Sequence, residues 1–258
     1  MTTELLSVHP THELEVTHRL VVTWQHPVSR SIQPVGVLAC STEGFAFSYL
    51  AAASRVLDFR PILGFAELNR RYESATLFPF FAQRVIRPSR PDYSAYLHSL
   101  ALADDADAWL ILARSQGARV GDTTRVFPEP EVSDSGRARH TFFVNGVRHA
   151  LGDDPATGPA LSALRPGAQV QLRDQPTNPI NPRAAQVVTN SGVALGWVPD
   201  VLLDYVSAVR SAGNPTLGVT MVNGVDVPAG FRLLVTLEGH VPEDYSFFSG
   251  PEWQLASA

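Results

Sequence analysis

The chain has 258 residues, of which 45% are hydrophobic and 17% charged, and its formal net charge is −5 at pH 7. Every one of its 20 Lys-or-Arg positions is arginine, which excludes a P-loop, a protein-kinase strand lysine and a Schiff-base amine. The single cysteine, Cys40, excludes an internal disulfide and any zinc site with two or more thiolates. With this acidic balance we expect no broad basic surface, so any nucleic-acid binding has to be local.

Neither a membrane span nor a catalytic motif is evident in the sequence. The longer apolar runs, such as Ala108–Ala113, are far shorter than the ~20 residues that a membrane span needs. Met1–Glu15 is acidic and lacks the apolar centre of a signal peptide, so we expect a cytoplasmic location. There is no G-x-S-x-G, no H-E-x-x-H and no paired-carboxylate motif. We therefore expect no enzyme activity, no catalytic residue, no metal and no cofactor.

The patterns along the chain predict an α+β protein with two folded units. Residues 1–128 are predicted to form a small mixed-sheet domain, and residues 129–138, which are poor in apolar side chains, an inter-domain linker. Residues 139–245 are predicted to form a small barrel or half-barrel with one helix, followed by a C-terminal tail over 246–258. The predicted strands of this second unit are Thr141–Val147, Val170–Arg173, Ala185–Val188, Val193–Val198, Val219–Val222 and Leu233–Leu237, and its helix covers Asp200–Ser211.

The most unusual segment is Asn178–Arg183, which has two Asn-Pro steps and predicts a compact, rigid loop between two strands. Two interpretations stay open. In the first, the asparagine side chains hydrogen-bond their own backbone and only shape the turn. In the second, Asn178, Asn181 and Arg183 form the rim of a binding site, where the Arg183 guanidinium suits a phosphate.

A second candidate pair, Arg148 and His149, follows Gly146 at the end of a predicted strand. An arginine and an imidazole at such a place can bind a phosphate and stack on a base. The alternative is a surface arginine beside a strand-end histidine with no ligand. Trp197, on another predicted strand, is expected to lie in the core.

Three separated motifs in residues 139–245 resemble the HIRAN domain family. That family has a strand ending in an Arg–aromatic pair, then N-P-[YV]-D-x-x-A, then G-[YWH]-[VL]-P before a helix. The corresponding stretches here follow the same order: Phe142–His149, Asn178–Ala184 and Gly196–Pro199. The resemblance implies a modified OB-like β-barrel that captures the 3′ end of single-stranded DNA.

Carried over by position, the resemblance implies that Arg148 contacts phosphate and that His149 takes the stacking role. Asn181 stands where the family has an aspartate, and Ile180 where it has a tyrosine. An asparagine can still hydrogen-bond a 3′-hydroxyl, whereas an isoleucine cannot stack as an aromatic ring does.

The first half resembles the N-terminal subdomain of HipA-type toxin kinases. The stretches that carry this resemblance are Val35–Leu38, Phe45–Tyr49, Leu77–Ala82, Leu110–Gly117 and Thr124–Pro128. The kinase core is missing, so the resemblance implies a docking or regulatory role. Beside Phe78–Phe81 lies a ladder of Arg84, Arg87 and Arg90, which we expect to be a solvated face or, alternatively, a basic edge that binds a partner.

Together these features predict a non-catalytic protein whose second half binds single-stranded DNA or DNA ends. Its first half would dock a partner such as a HipA-like kinase or a DNA-processing enzyme, and DNA repair, phage defence and toxin control all fit. The alternative is a protein–protein adaptor or an antitoxin-like regulator of a HipA-type kinase that binds no nucleic acid. A nuclease or phosphohydrolase is disfavoured, because the sequence lacks a carboxylate cluster for two-metal chemistry.

Overall fold

The computed structural model describes residues 16–119 and 121–256, which form two β-sheets and six α-helices. The first sheet has the strand order β4-β3-β2-β1-β5, and the second has the order β10-β9-β8-β11-β12-β7-β6. The strands are β1 (Val16–Gln25), β2 (Ile32–Ser41), β3 (Gly44–Tyr49), β4 (Tyr72–Ser74), β5 (Thr124–Pro128), β6 (Glu131–Val132), β7 (Arg137–Phe143), β8 (Gln169–Asp174), β9 (Ala185–Val188), β10 (Ala194–Trp197), β11 (Thr216–Val222) and β12 (Leu233–His240).

The helices are short and lie between the strands in the chain, as in an α+β protein. They are α1 (Pro79–Ala82), α2 (Tyr93–Ser99), α3 (Ala108–Arg114), α4 (Val147–Asp153), α5 (Thr157–Ala163) and α6 (Leu203–Ala212). Four single-turn 3-10 helices cover Ala51–Arg55, Asp200–Leu202, Ala229–Phe231 and Pro251–Trp253. The predicted helix at Asp200–Ser211 is therefore a 3-10 turn that continues into α6.

The first sheet is antiparallel throughout, so the prediction of a mixed sheet is wrong. Its strands β1, β2 and β3 follow one another through short connections, and short connections permit only antiparallel neighbours. The core beneath this sheet is aromatic. The Phe47 ring lies 4.4 Å from Phe65 and 4.9 Å from Tyr49, centroid to centroid. The buried Tyr49 hydroxyl donates to the Phe65 carbonyl at 2.9 Å, which satisfies its polar end.

The second sheet is also antiparallel, and its ladders leave it open where a barrel was predicted. One isolated bridge joins the edge strand β10 to the segment that follows β7: Asn145 and Trp197 exchange two backbone hydrogen bonds of 2.8 Å each. Strand β7 ends at Phe143, because Gly146 adopts a left-handed conformation (φ 68°) and turns the chain into α4. The contact between β10 and the segment after β7 is therefore limited to one residue pair and does not extend into a ladder of strand pairing.

The two halves of the chain share a hydrophobic cluster. Leu97, Leu100 and Ile111, from the helical region of the first half, pack with Phe143 and Leu234 of the second sheet. A side-chain hydrogen bond of 2.7 Å from Asn223 to the Ser99 carbonyl crosses the same contact. The halves are thus in direct apolar contact.

The segments predicted as linker and tail both take part in this arrangement. Residues 129–138 contain β6 and the first two residues of β7, so part of this segment belongs to the second sheet. The segment after residue 245 returns to the first half, where Leu50 and Leu255 form a bridge. The Ala51 amide also donates to the Gln254 carbonyl at 2.7 Å. The boundaries at 128, 138 and 245 stay predictions.

Candidate nucleic-acid interface

The Asn-Pro segment folds as two successive turns held by asparagine side chains. The Asn178 Oδ1 accepts hydrogen bonds from the Ile180 amide at 2.9 Å and the Asn181 amide at 3.1 Å. The Asn181 Oδ1 accepts one from the Arg183 amide at 3.0 Å. These bonds are the Asx-turns of the first interpretation, and they leave both carbonyl oxygens committed to the loop.

Arg183 leaves this loop towards α6 and forms an ion pair with Asp204. Both side chains are more than half exposed, so the pair is screened by solvent and contributes little to stability. The guanidinium is therefore held next to the loop but remains able to exchange its carboxylate partner for another anion.

Arg148 and His149 do not end a strand, as the sequence predicted, but lie in the first turn of α4. Val147 and Ala150 on the same helix are buried, which leaves Arg148 and His149 on the solvent side. Within residues 16–119 and 121–256, neither of these two side chains has a hydrogen-bond or ion-pair partner. They are therefore free to meet a ligand.

The end of β10 brings the predicted segments together. On one side Trp197 pairs with Gln186 of β9, directly after loop 175–184. On its other side Trp197 bonds to Asn145, three residues before Arg148. Neighbouring strands lie about 5 Å apart, so Gln186 and Asn145, the two residues that pair with Trp197, lie about 10 Å from each other. The loop precedes Gln186 in the chain, and α4 follows Asn145. We call Arg148, His149, Asn178, Asn181, Arg183 and Asp200 the rim.

Asp200 is the rim residue that the sequence did not single out. It begins the 3-10 turn after β10, and the side chain of Asn181 donates a hydrogen bond to it. Burial raises the pKa of the Asp200 carboxyl, and the Asn181 hydrogen bond lowers it in part. The G-W-V-P stretch indicated that this strand end belongs to the site. Asp200 was predicted only as the first residue of a helix, so its carboxyl was not identified as a site group.

Trp197 is half-buried and is not one of the buried core residues, so the expected core position is not reached, although its ring packs on Gly146. A Cβ atom at Gly146 would lie 2.6 Å from the Trp197 ring, so the close approach requires glycine. The indole N–H is buried and has no hydrogen-bond partner in the described part of the chain. The tryptophan therefore fixes the crossing of β10 and α4 by packing.

Charges of both signs meet at the rim. Arg148 and Arg183 are the rim arginines and Asp200 is its carboxylate, while Arg183 forms an ion pair with Asp204 of α6 that neutralises one charge of each sign. Across the described ranges, no group of three or more His, Cys, Asp or Glu side chains is placed to hold a metal ion. No helix among those ranges has the length and apolar character to cross a membrane.

The predicted docking edge of the first half is internal only in part. Phe81 is fully buried, and Arg84, expected to be solvated, is also buried. The Arg84 guanidinium contacts Asp122 at 2.5 Å and lies 4.0 Å from the centre of the Phe80 ring. Arg87 and Arg90 are exposed, as a solvated face requires, and Arg84 alone of the three departs from that expectation.

Comparisons with known proteins give two partial structural matches. No family model matches the chain, and no curated protein matches it. A crystal structure of a protein from Lactobacillus plantarum is 21% identical, covers 42% of this chain and 100% of its own, and has a TM-score of 0.31. The HIRAN domain of human HLTF is 16% identical, covers 43% of this chain and 85% of its own, and has a TM-score of 0.30. These TM-scores are too low to assign function, and a HipA-type subdomain is not shown by either match.

Proposed function

We propose that the second half of the chain binds single-stranded nucleic acid at the rim, including the 3′ end of DNA. The observation that supports this most is the convergence of three segments, 146–149, 178–184 and 196–200, at the end of β10. These segments carry the motifs that resemble the HIRAN family, and they are far apart in the sequence. A shared location is what one binding surface requires.

Each rim group has a role in this proposal. The unpaired Arg148 guanidinium contacts phosphate, and His149 offers a planar ring to a base. The half-buried Asp200 carboxylate accepts a hydrogen bond from a terminal hydroxyl. Loop 175–184 gives the surface its shape. Because only Arg148 and Arg183 are available as cations, the affinity depends weakly on salt, with a log–log slope of about −1.4 for two phosphate contacts.

The first half, in this proposal, docks a partner protein, and the whole chain is non-catalytic. One observation favours the alternative of an adaptor without nucleic-acid binding: Ile180 is 59% exposed where the resembled family has a stacking tyrosine. We propose the nucleic-acid function first because Arg148 and His149 are exposed and have no partner in the described ranges.

Fluorescence anisotropy tests the proposal, with a short single-stranded DNA ending in a 3′-hydroxyl and the same strand ending in a 3′-phosphate. We expect binding at low salt, weakening on blocking of the 3′ end, and roughly tenfold weaker binding by Arg148→Ala. Arg60→Ala removes the same charge from an exposed site of the first half and serves as the matched control.

Three results would contradict the proposal. The first is no binding to any strand at low salt, and the second is equal weakening by both arginine variants. The third is a salt slope steeper than about −4, which would require many more phosphate contacts than the rim can make. Any of these would favour the adaptor function and move attention to the first half.

A further inference from the structure

A cavity of about 410 Å³ lies between α6 and the C-terminal segment 242–253, beside the rim but separate from it. Five of its sixteen lining residues are aromatic, and four serines, Asp204 and Glu252 add polar groups. The aromatic residues are Tyr205, Tyr245, Phe247, Phe248 and Trp253. None of them belongs to the motifs that the sequence analysis singled out.

The rings of this cavity are arranged as adjoining walls. Tyr245 and Phe247 stand at 86° to each other, with their centroids 4.8 Å apart. Tyr205 contacts Phe247 at 5.4 Å. Phe248 and Trp253 form a second pair at 4.5 Å and 45°. Rings that meet at such angles present aromatic faces and edges to one small volume.

The backbone around the cavity is tied down at both ends. The Val241 amide donates to the Gly136 carbonyl at 3.0 Å, and Gln254 accepts from Ala51. Between these anchors Phe248 has a φ of 47°, a left-handed conformation that is unfavourable for a bulky residue. Such strain persists where the surroundings hold it, and here it places the Phe248 ring against Trp253.

The charge of the cavity is negative. Glu252 and Asp204 line it, and Glu252 has no ion-pair partner in the described structure. Residues 241–258 contain Glu243, Asp244 and Glu252 but no arginine, lysine or histidine. Burial and the nearby Asp204 carboxylate raise the pKa of the Tyr245 hydroxyl to about 12, which places this negative charge close to the rings. A phosphate would be repelled here.

We propose that this cavity binds an organic cation of the trimethylammonium type. Aromatic faces attract such a cation through their quadrupoles, and the unpaired Glu252 carboxylate supplies the opposite charge. This inference is independent of nucleic-acid binding at the rim.

Calorimetric titration with choline tests the proposal, and 3,3-dimethylbutan-1-ol, which has the same shape without the charge, is the matched ligand control. We expect choline to bind at least tenfold more tightly than the neutral alcohol. Glu252→Gln and Trp253→Phe should each weaken choline binding several-fold. Glu243→Gln changes the same charge on the same segment outside the cavity lining, and it should leave binding unchanged. Thermal unfolding verifies that each variant is folded.

A peptide with one trimethyllysine, compared with its unmodified form, distinguishes a protein-borne cation from a free one. Binding of choline with or without binding of this peptide supports the cavity as a cation site and identifies the source. Equal binding of choline and the neutral alcohol overturns the proposal, as does no binding of choline, or equal weakening by Glu252→Gln and Glu243→Gln. No nucleic acid is present in these titrations, so their outcome is separate from that of the rim.

Discussion

The two sides of the rim use their polar side chains in opposite ways. In loop 175–184, Asn178 and Asn181 bond to the backbone of their own loop, and Arg183 pairs with Asp204. At the start of α4, Arg148 and His149 reach solvent with no partner in the described ranges. The Asn-Pro motif therefore shapes the loop. The side chains of Arg148 and His149 are the rim groups that have no partner within the described ranges.

This difference separates effects on stability from effects on affinity. Removing a side chain of the loop should cost folding free energy, because its hydrogen bonds are made in the free protein. Removing one from the exposed start of α4 should cost affinity only. The predictions below break or sharpen this contrast, from the largest expected effect to the smallest.

Both sides of the rim depend on the contact between β10 and the segment that leads into α4. Gly196→Ala should disrupt this contact. A Cβ atom at Gly196 would collide with the Asn145 carbonyl oxygen, and the residue has a φ of 144°. We expect a loss of about 3 kcal/mol or more in the free energy of unfolding, measured by urea denaturation. Gly152→Ala is the control, since nothing lies within 4 Å of its Cβ and it sits in α4. Similar losses for both variants would argue against the crossing as the critical contact.

The second sheet contains a buried histidine, His140, whereas His149 of the rim is exposed. Burial, together with the charge of Arg114, lowers the pKa of His140 to about 3, against about 6.5 when unfolded. The unfolded chain thus binds more protons between these values, so this contribution is complete above pH 6.5 and lost as pH falls towards 3. We expect about 2 kcal/mol lower stability at pH 5 than at pH 6.5 from this group.

Urea denaturation across this pH range measures the effect, and His140→Phe removes it. The variant should show a shallower decline below pH 6.5 than the unsubstituted chain. An identical decline in both proteins would mean that His140 is protonated in the folded state.

Arg148→Ala tests the free side of the rim. We expect roughly tenfold weaker binding of single-stranded DNA, because a charge-assisted contact to phosphate is lost. The free energy of unfolding should change by less than about 0.5 kcal/mol, since the side chain is exposed and unpartnered. A large loss of stability would show that Arg148 has a structural role.

Asn178→Ala tests the structural side. Its Oδ1 accepts two backbone hydrogen bonds, so we expect a loss of about 1 kcal/mol in the free energy of unfolding. Asn178→Asp keeps the acceptor and should retain most of the stability. If the alanine variant were fully stable but had lost affinity, the asparagine would be a binding group and the contrast would fail.

Asp204→Asn should have the smallest effect. It removes an exposed ion pair, so the free energy of unfolding should change by less than about 0.5 kcal/mol. Because Arg183 is then free for phosphate, we expect roughly twofold tighter binding of single-stranded DNA in the anisotropy assay. Weaker binding would mean that the ion pair positions Arg183 for its ligand.

Local patterns predicted the strands well where an apolar run is bounded by turn residues. Strand β9 has the predicted bounds Ala185–Val188. The Asx-turns of loop 175–184 also follow from the Asn-Pro chemistry. In these places the covalent sequence alone decides the conformation.

Where the pattern failed, long-range packing decided the structure. Val147 continues an apolar run and was assigned to a strand, but the contact between Gly146 and Trp197, 51 residues apart, turns the chain into α4. The buried Arg84 pairs with Asp122, 38 residues away. The cavity beneath α6 is formed by a C-terminal segment that was predicted to be a tail. Patterns of neighbouring residues in the sequence do not predict contacts between such distant positions.

The most direct test of the central claim is a map of backbone amide shifts by NMR as a single-stranded DNA with a free 3′ end is titrated into the full chain. We predict that the shifts concentrate in residues 146–150, 178–184 and 196–200 and saturate together with one affinity, because these segments meet at one strand end. Shifts confined to the first half, or none at saturating DNA, would contradict the account and leave the rim without a nucleic-acid role.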